Sequence, residues 1–412
     1  MVLSVLAGDW TPLLAAESQV SDLEFQETPH DYWSRPLRDP VTRLKAGLEN
    51  GTIALERSSE RAFLVSLLKV LRIPATSQLL VFSTTSLQLR LISPSNPRAL
   101  YFNEEVYLGY IPGGRIEVAA LDPALGAIFY IFDIPRGTNA LRFERSDRCM
   151  NCHASEDTSD IPGLVVRSVL PGPSGGSLRA FRSGRTGHAI PYEDRLGGWF
   201  VTGQGALTNH WGNVLGQPSP GGPTRRAMAF GTSFDIARYP VATSDALAHL
   251  LHEHQIGFLN RIVHATYRAR ACLHESKERL GPEHERLLDQ HADELVRYIL
   301  FADEAALPSG GLGGDPFFKK DFLSERRTAK DGSSLKDLEL RTRLFRYRCS
   351  YMLYTTPFQE LPAVVKGRVY AKLKAALNEA VPDPAYAYMP SAEKQAIRRI
   401  LGDTLPDLPR DW

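Results

Sequence analysis

The sequence predicts an α+β fold: a β-rich N-terminal and central part followed by a mostly helical C-terminal part. Two observations carry this. Short runs rich in β-branched and aromatic residues, bounded by Pro, Asn and Gly, fill the stretch from Leu79 to Ile134. Long stretches of helical periodicity begin at Thr243 and continue almost to the C-terminus.

Taken in order, residues 17–40 are polar and proline-bearing and read as an extended arm. Helices are expected over Val41–Glu49, stopped by Asn50-Gly51, and over Ser59–Leu71, stopped by Ile73-Pro74. In the second, Phe63, Leu64, Leu67, Leu68 and Leu71 recur at helix spacing. Strands follow at Leu79–Phe82, Ala99–Phe102 and Val106–Tyr110. Ile116–Leu121 and Ala127–Ile134 flank Asp122–Gly126 and read as a hairpin with a five-residue turn. Further strands are expected at Ala140–Glu144, Leu164–Leu170 and Gly198–Thr202. Helices are then expected at Thr243–Leu273 and Pro282–Ala306. The glycine-rich Pro308–Asp315 lacks the ending of a phosphate loop and reads as a connector. Leu335–Tyr354, Leu361–Ala380 and Ala392–Leu401 complete the helical half.

Composition narrows the function. The 412 residues carry 48 Lys plus Arg against 47 Asp plus Glu, a formal charge of +1, so nothing suggests a nucleic-acid surface. The longest clean apolar run, Ala127–Phe132, is far too short for a membrane span. Four cysteines do not make a disulfide framework, and sequence separation alone leaves open whether Cys272 and Cys349 pair.

Two of those cysteines lie in Cys149-Met150-Asn151-Cys152-His153, the C-x-x-C-H pattern of haem c attachment. The thiols stand about one helical turn apart, so both can form thioethers with the vinyl groups of one porphyrin. His153 then supplies the proximal iron ligand. With this many Cys and His, chance would place such a pattern in about one chain in a thousand. A structural zinc site would need two further paired ligands. A thioredoxin-type dithiol has no use for the trailing His.

The second iron face has several candidates. His188, in the loop Gly184–Pro191, and His210, in Thr208–Asn213, flank the Gly197–Gly203 segment, whose glycines permit close approach to a flat ring. His188 is slightly preferred because Gly187 and Pro191 suit an ordered loop. Met228 and His254 follow. His254 falls on the apolar stripe Leu247, Leu250, Leu251, Phe258, Ile262 and Ala265, where a hydrogen-bonded core role is the commoner one. His249, His252, His264, His274, His284 and His291 lie off that stripe or on polar faces and read as solvated. Leu344–Tyr354 reads as an amphipathic core helix; its functional reading is a haem-edge wall in which Met352 is a remote ligand.

The chain resembles large bacterial monohaem cytochrome c-like proteins. The resemblance rests on Pro97–Phe102, Asp122–Ile134, Arg148–His153, Gly197–Gly203, Glu253-His254-Gln255 and Arg343–Tyr354, and spans the chain from about residue 80 onward. It implies haem attachment by Cys149 and Cys152 with His153 on the iron, and no specific reaction. The β-framed motif also resembles haem c sensor domains of PAS-like fold, without a specific residue to support that link.

The expected organisation is an N-terminal arm over residues 1–40, an α+β haem c-bearing domain over 41–240, and a helical domain over 241–412 packed on it. Haem c is attached after export, so a periplasmic or otherwise exported protein is expected. Met1–Gly8 is apolar without a basic start, and Leu13–Ala16 before Glu17 resembles a cleavage region. Together they read as the remnant of a clipped signal peptide, favoured by the haem motif over the alternative that the protein is not exported. The expected function is single-electron transfer with one covalent haem, alone or as the electron entry of a haem-dependent oxidoreductase. Its partner would be a redox protein or a small-molecule donor or acceptor. The alternative is a haem-based sensor or a gas- or peroxide-binding module. A structural helical protein with a zinc-bound knuckle is a third, blander reading.

Overall fold

The structure is a computed structural model that describes residues 24–135, 137, 141–182 and 186–412. The signal-like stretch Met1–Glu17 lies outside the described residues.

Helix α1 (Pro40–Glu49) starts where Asp39 accepts hydrogen bonds from the backbone N–H of Val41 and Thr42. Ser59 caps α2 (Glu60–Val70), which buries Phe63, Leu64, Leu67 and Leu68. The sheet then forms from β1 (Leu79–Val81), β2 (Arg98–Phe102), β3 (Val106–Tyr110), β4 (Ile116–Asp122), β5 (Gly126–Phe132) and β6 (Glu144–Arg145). A helical turn, α3 (Met150–His153), follows and holds the end of the C-x-x-C-H motif. Strands β7 (Val169–Pro171) and β8 (Ser177–Ala180) pair as a small ribbon. Strand β9 (Trp199–Phe200) returns to pair with β1, giving the antiparallel order β6-β5-β4-β3-β2-β1-β9. Strands β10 (Val214–Gln217) and β11 (Thr224–Ala227) form a second ribbon.

The helical part comprises α4 (Ala246–Glu275), α5 (Pro282–Ile299), α6 (Pro316–Ser324), α7 (Thr356–Gln359), α8 (Ala363–Ala376) and α9 (Ser391–Thr404). Antiparallel sheet in the N-terminal and central part and helices concentrated in the C-terminal part agree with an α+β chain. One apolar core runs through both parts, from Tyr32 to Leu405.

The register sorts the sheet into two faces. Phe102 pairs with Tyr107, Tyr107 with Ala119, and Ala119 with Phe129, so all four project to one side. Leu100, Gly109, Glu117 and Ile131 form the next row on that side. The other face carries Tyr101, Leu108, Val118, Ile128 and Tyr130 and is sealed by α1 and α2. Tyr130 donates to Asp39 at 2.8 Å, and Tyr110 to Glu60 at 3.3 Å. The first face is covered by α4, through Tyr107 donating to Gln255 at 3.0 Å, but its middle stays open. Arg98, Leu100 and Glu117 are only half-buried there, in the central strands of a seven-stranded sheet.

Four local expectations need correction. The hairpin loop is three residues, because Asp122 and Gly126 themselves pair. The strand expected over Leu164–Leu170 shrinks to Val169–Pro171, because the Asn260 side chain takes both the N–H and the C=O of Leu164, each at 2.8 Å. The helix expected over Leu335–Tyr354 is mostly irregular, with a short 3-10 turn at Tyr351–Tyr354. There the Glu339 carboxylate accepts from the N–H groups of Arg341, Thr342 and Arg343 and so competes with helical bonding. Of the strand expected over Ala140–Glu144, only Glu144 pairs, as part of β6, and Ala140 lies outside the described residues.

Gly126 is a sharp test of the hairpin. Its φ is +78°, and a Cβ would stand 2.6 Å from the Pro162 carbonyl oxygen and 2.7 Å from Val263 on α4. Gly126→Ala is expected to cost about 2 kcal/mol or more in urea unfolding, from backbone strain and overpacking together.

Candidate functional site

The motif occupies a tight turn. A 3-10 turn over Asp147–Cys149 runs directly into α3, so Cys149 and Cys152 stand one turn apart. Met150 is buried and joins the core, which anchors the turn. Cys149 is half-buried, Cys152 is exposed, and both thiols are free. Burial pushes the Cys149 thiol above its ordinary value.

His153 is held from two sides. Its ring lies 4.4 Å from the Phe129 ring. Its Nδ1 is 3.0 Å from the Gly163 carbonyl oxygen, so Nδ1–H donates there. That bond fixes the tautomer and leaves Nε2 as the basic nitrogen, the arrangement found behind metal-bound imidazoles. Burial pushes its pKa down to about 4, so the ring is neutral near pH 7. The Gly163 loop is itself secured by Asn260 of α4, through the two bonds to Leu164.

Beside it, Arg98 and Glu117 form an ion pair at 3.1 Å. Glu117 also accepts from Ser86 at 2.6 Å and Gln88 at 3.0 Å. Arg98 Nε is buried and has no hydrogen-bond partner among the described residues. After burial, the Arg98 charge is a lowering influence on both His153 and His252.

His252 projects from α4 toward the same sheet face. Its ring lies 5.1 Å from Phe102, 5.6 Å from Tyr107 and 6.4 Å from Trp199. It is 4 % exposed and makes no hydrogen bond among the described residues. Burial pushes its pKa down to about 3.

The histidines favoured from sequence go elsewhere. His188 Nδ1 is 2.9 Å from His254 Nδ1, and His254 Nε2 is 2.8 Å from Ser350 Oγ. His188 also stacks on Tyr298 at 4.1 Å and Phe301 at 4.6 Å. His254 and His252 are two residues apart on α4, about 200° around the helix, so this pair sits on the side of α4 away from the sheet. Gly184 and Arg185 of the His188 loop lie outside the described residues. His210 Nδ1 accepts from the N–H of Gly212 at 2.9 Å, while its buried Nε2 has no partner. No contact joins His188 or His210 to Cys149, Cys152 or His153 among the described residues. Met228 is half-buried and Met352 fully buried. Cys272 and Cys349 are both buried and unpaired.

One expectation is overturned: His249, His252 and His291 are buried rather than solvated. The signal was present. From Ala246 to Asn260 the only charged residue is Glu253, which marks a helix buried all round rather than along one stripe.

A zinc knuckle would need converging ligands. Among the described residues no group of three or more His, Cys, Asp and Glu gathers as a metal site. A haem needs no such group, because the porphyrin supplies four of the iron's ligands. Among the described residues no helix is long and apolar enough to cross a membrane. Comparison with known proteins finds no matching family model, no similar curated protein and no similar solved structure.

Proposed function

We propose that this chain is a c-type cytochrome. It holds one covalent haem through Cys149 and Cys152, with His153 as the proximal iron ligand. It passes single electrons to or from a redox partner protein or small molecule, alone or as the electron-entry part of an oxidoreductase. The observation that carries this reading is His153 itself, its Nδ1 tied to the Gly163 carbonyl and its Nε2 making no hydrogen bond among the described residues, directly after two free thiols one turn apart.

The surrounding residues suit the group. Phe129 and Trp199 offer apolar cover, Ala119 keeps the row between Tyr107 and Phe129 low, and the Arg98–Glu117 pair lies over Gly109 beside it. The orphaned Arg98 Nε offers a charge-assisted donor for a propionate. The bound haem would supply a one-electron couple; the chain attaches it, orients it and limits its contact with water. We further propose that the protein is exported, since attachment needs an oxidising compartment supplied with haem, and that it belongs with the monohaem cytochrome c-like proteins it resembles.

The test is covalent attachment. Acidified-solvent extraction of protein made in a host with the attachment machinery should leave haem on the polypeptide. Cys149→Ala and Cys152→Ala should each lower the haem yield, and the double variant should release all haem into the solvent. Free extraction of haem from the unaltered protein would overturn the reading. Fractionation of the native cells tests the location: holoprotein found only in the cytoplasm would sink the export proposal.

A further inference from the structure

We propose that His252 is the second axial ligand of the haem, in place of the histidines nearer the motif in sequence. This rests on the covalent-haem reading and specifies the other side of the same site.

Position comes first. His153 rests on Phe129 of β5, and His252 lies over Phe102 of β2 and Tyr107 of β3. All three rings belong to one row on one sheet face. Phe129 is two strands from Tyr107 and three from Phe102, about 10–14 Å across the sheet. The floor between them is the small Ala119; in the next row the half-buried Arg98–Glu117 pair lies over Gly109. The two imidazoles therefore stand over opposite ends of this row, with Ala119 between them.

Chemistry comes second. A buried histidine ordinarily finds a hydrogen-bond partner. Its neighbours on α4 do: His249 reaches Ser244 Oγ at 3.1 Å and Phe200 O at 3.2 Å, and His254 reaches Ser350 Oγ. Among the described residues His252 makes no hydrogen bond, and its nitrogens stop short of full burial, at 4 % exposure of the residue. It is surrounded by three aromatic rings that orient it but cannot satisfy its nitrogens. His188 and His254 join through their Nδ1 atoms on the far side of α4; His188 retains a buried Nε2 with no partner among the described residues, but its ring stacks there on Tyr298 and Phe301, away from the motif. His210 retains a buried free Nε2, but none of its contacts reaches the motif's face of the sheet.

The experiment uses absorption and electron paramagnetic resonance spectra of the purified holoprotein, with haem content read separately by pyridine haemochrome. The unaltered protein is expected to be low-spin and slow to bind carbon monoxide. His252→Ala should keep its covalent haem, become high-spin, bind carbon monoxide, and return to low-spin with added imidazole. His188→Ala and His210→Ala should leave the spectrum unchanged. His252→Met should show a sulfur-ligand charge-transfer band, which decides the matter if the alanine variant folds poorly. A haem-loaded His252→Ala or His252→Met protein with an unaltered low-spin spectrum overturns the assignment and leaves the covalent-haem reading intact. So does an unaltered protein that is already high-spin, and that result favours the sensing or small-molecule-binding alternative. Absence of covalent haem from the unaltered protein overturns both readings.

Discussion

Glu253→Gln is expected to destabilise the protein by about 3–5 kcal/mol, measured as a fall in the urea midpoint at unchanged slope. Glu253 is 2 % exposed and sits between two guanidinium groups. It pairs with Arg182 through a short ion-pair contact and lies 4.0 Å from Arg195. Both arginine side chains are almost wholly buried. Arg195 also donates to the carbonyls of Ile190, at 2.7 Å, and His188, at 2.8 Å, so it is locked in place. Removing the only carboxylate of this trio leaves two cations in a medium that hydrates neither. Such a break costs more than the net worth of the pair, because the surviving charges keep their desolvation penalty. Glu253→Gln combined with Arg182→Met should recover part of the loss. A loss below about 1 kcal/mol would mean that water reaches the cluster and screens it as at a surface.

Acid should destabilise the fold in two stages. Burial pushes His249, His252 and His254 down to about 3, against about 6.5 in an unfolded chain. The folded values are depressed, so the folded protein keeps these rings neutral while the unfolded chain takes up protons. The stability tied to them is complete above pH 6.5 and declines as pH falls through the window down to about 3, at about 1.4 kcal/mol per ring per pH unit. His188 is pushed the same way, again chiefly by burial, and adds to the loss. Two carboxyls oppose it. Burial raises Asp245 to about 6 and Glu304 to about 7, so the folded protein protonates them first and gains stability as pH falls. Their gain ends once the unfolded carboxyls protonate, near pH 4. The expected profile is a decline from pH 6.5 to about 4.5 that the two carboxyls halve, and a decline about twice as steep below it, read by urea unfolding at a series of pH values. A stability that rises steadily down to pH 4 would show that the buried rings are charged in the folded protein.

The parts of the molecule that were legible in the sequence are those set by local chemistry. The strands from Leu79 to Phe132 announce themselves through β-branched and aromatic runs cut by Asn103, Pro112-Gly113 and Gly126, and the structure pairs them as consecutive neighbours. The C-x-x-C-H motif is likewise a local code. What failed depended on distant partners. The backbone of Leu164 reads as strand until Asn260, 96 residues away, takes both its groups. His252 was missed because a single stripe was assigned to α4, whereas that helix lies between the sheet on one side and α5 on the other, so opposite faces of it are equally buried. No pattern within thirty residues says that His188 will pair with His254, since that depends on how α4 is rotated against its neighbours.

The place of α4 bears on whether the half that carries the C-x-x-C-H motif is a transplantable module. Its Gln255 and His252 cover the open sheet face, its Val263 packs on the hairpin at Gly126, and its Asn260 secures the loop that holds His153. All of these lie beyond residue 240, where composition alone would draw a boundary. A fragment ending there would keep both cysteines and lose the scaffold that secures the His153 loop and covers the sheet face. On the covalent-haem reading proposed above, that fragment moved to another host would attach haem without the ligation proposed for the whole chain. The structural unit around the motif runs from the sheet through α4 and is larger than the motif's own neighbourhood.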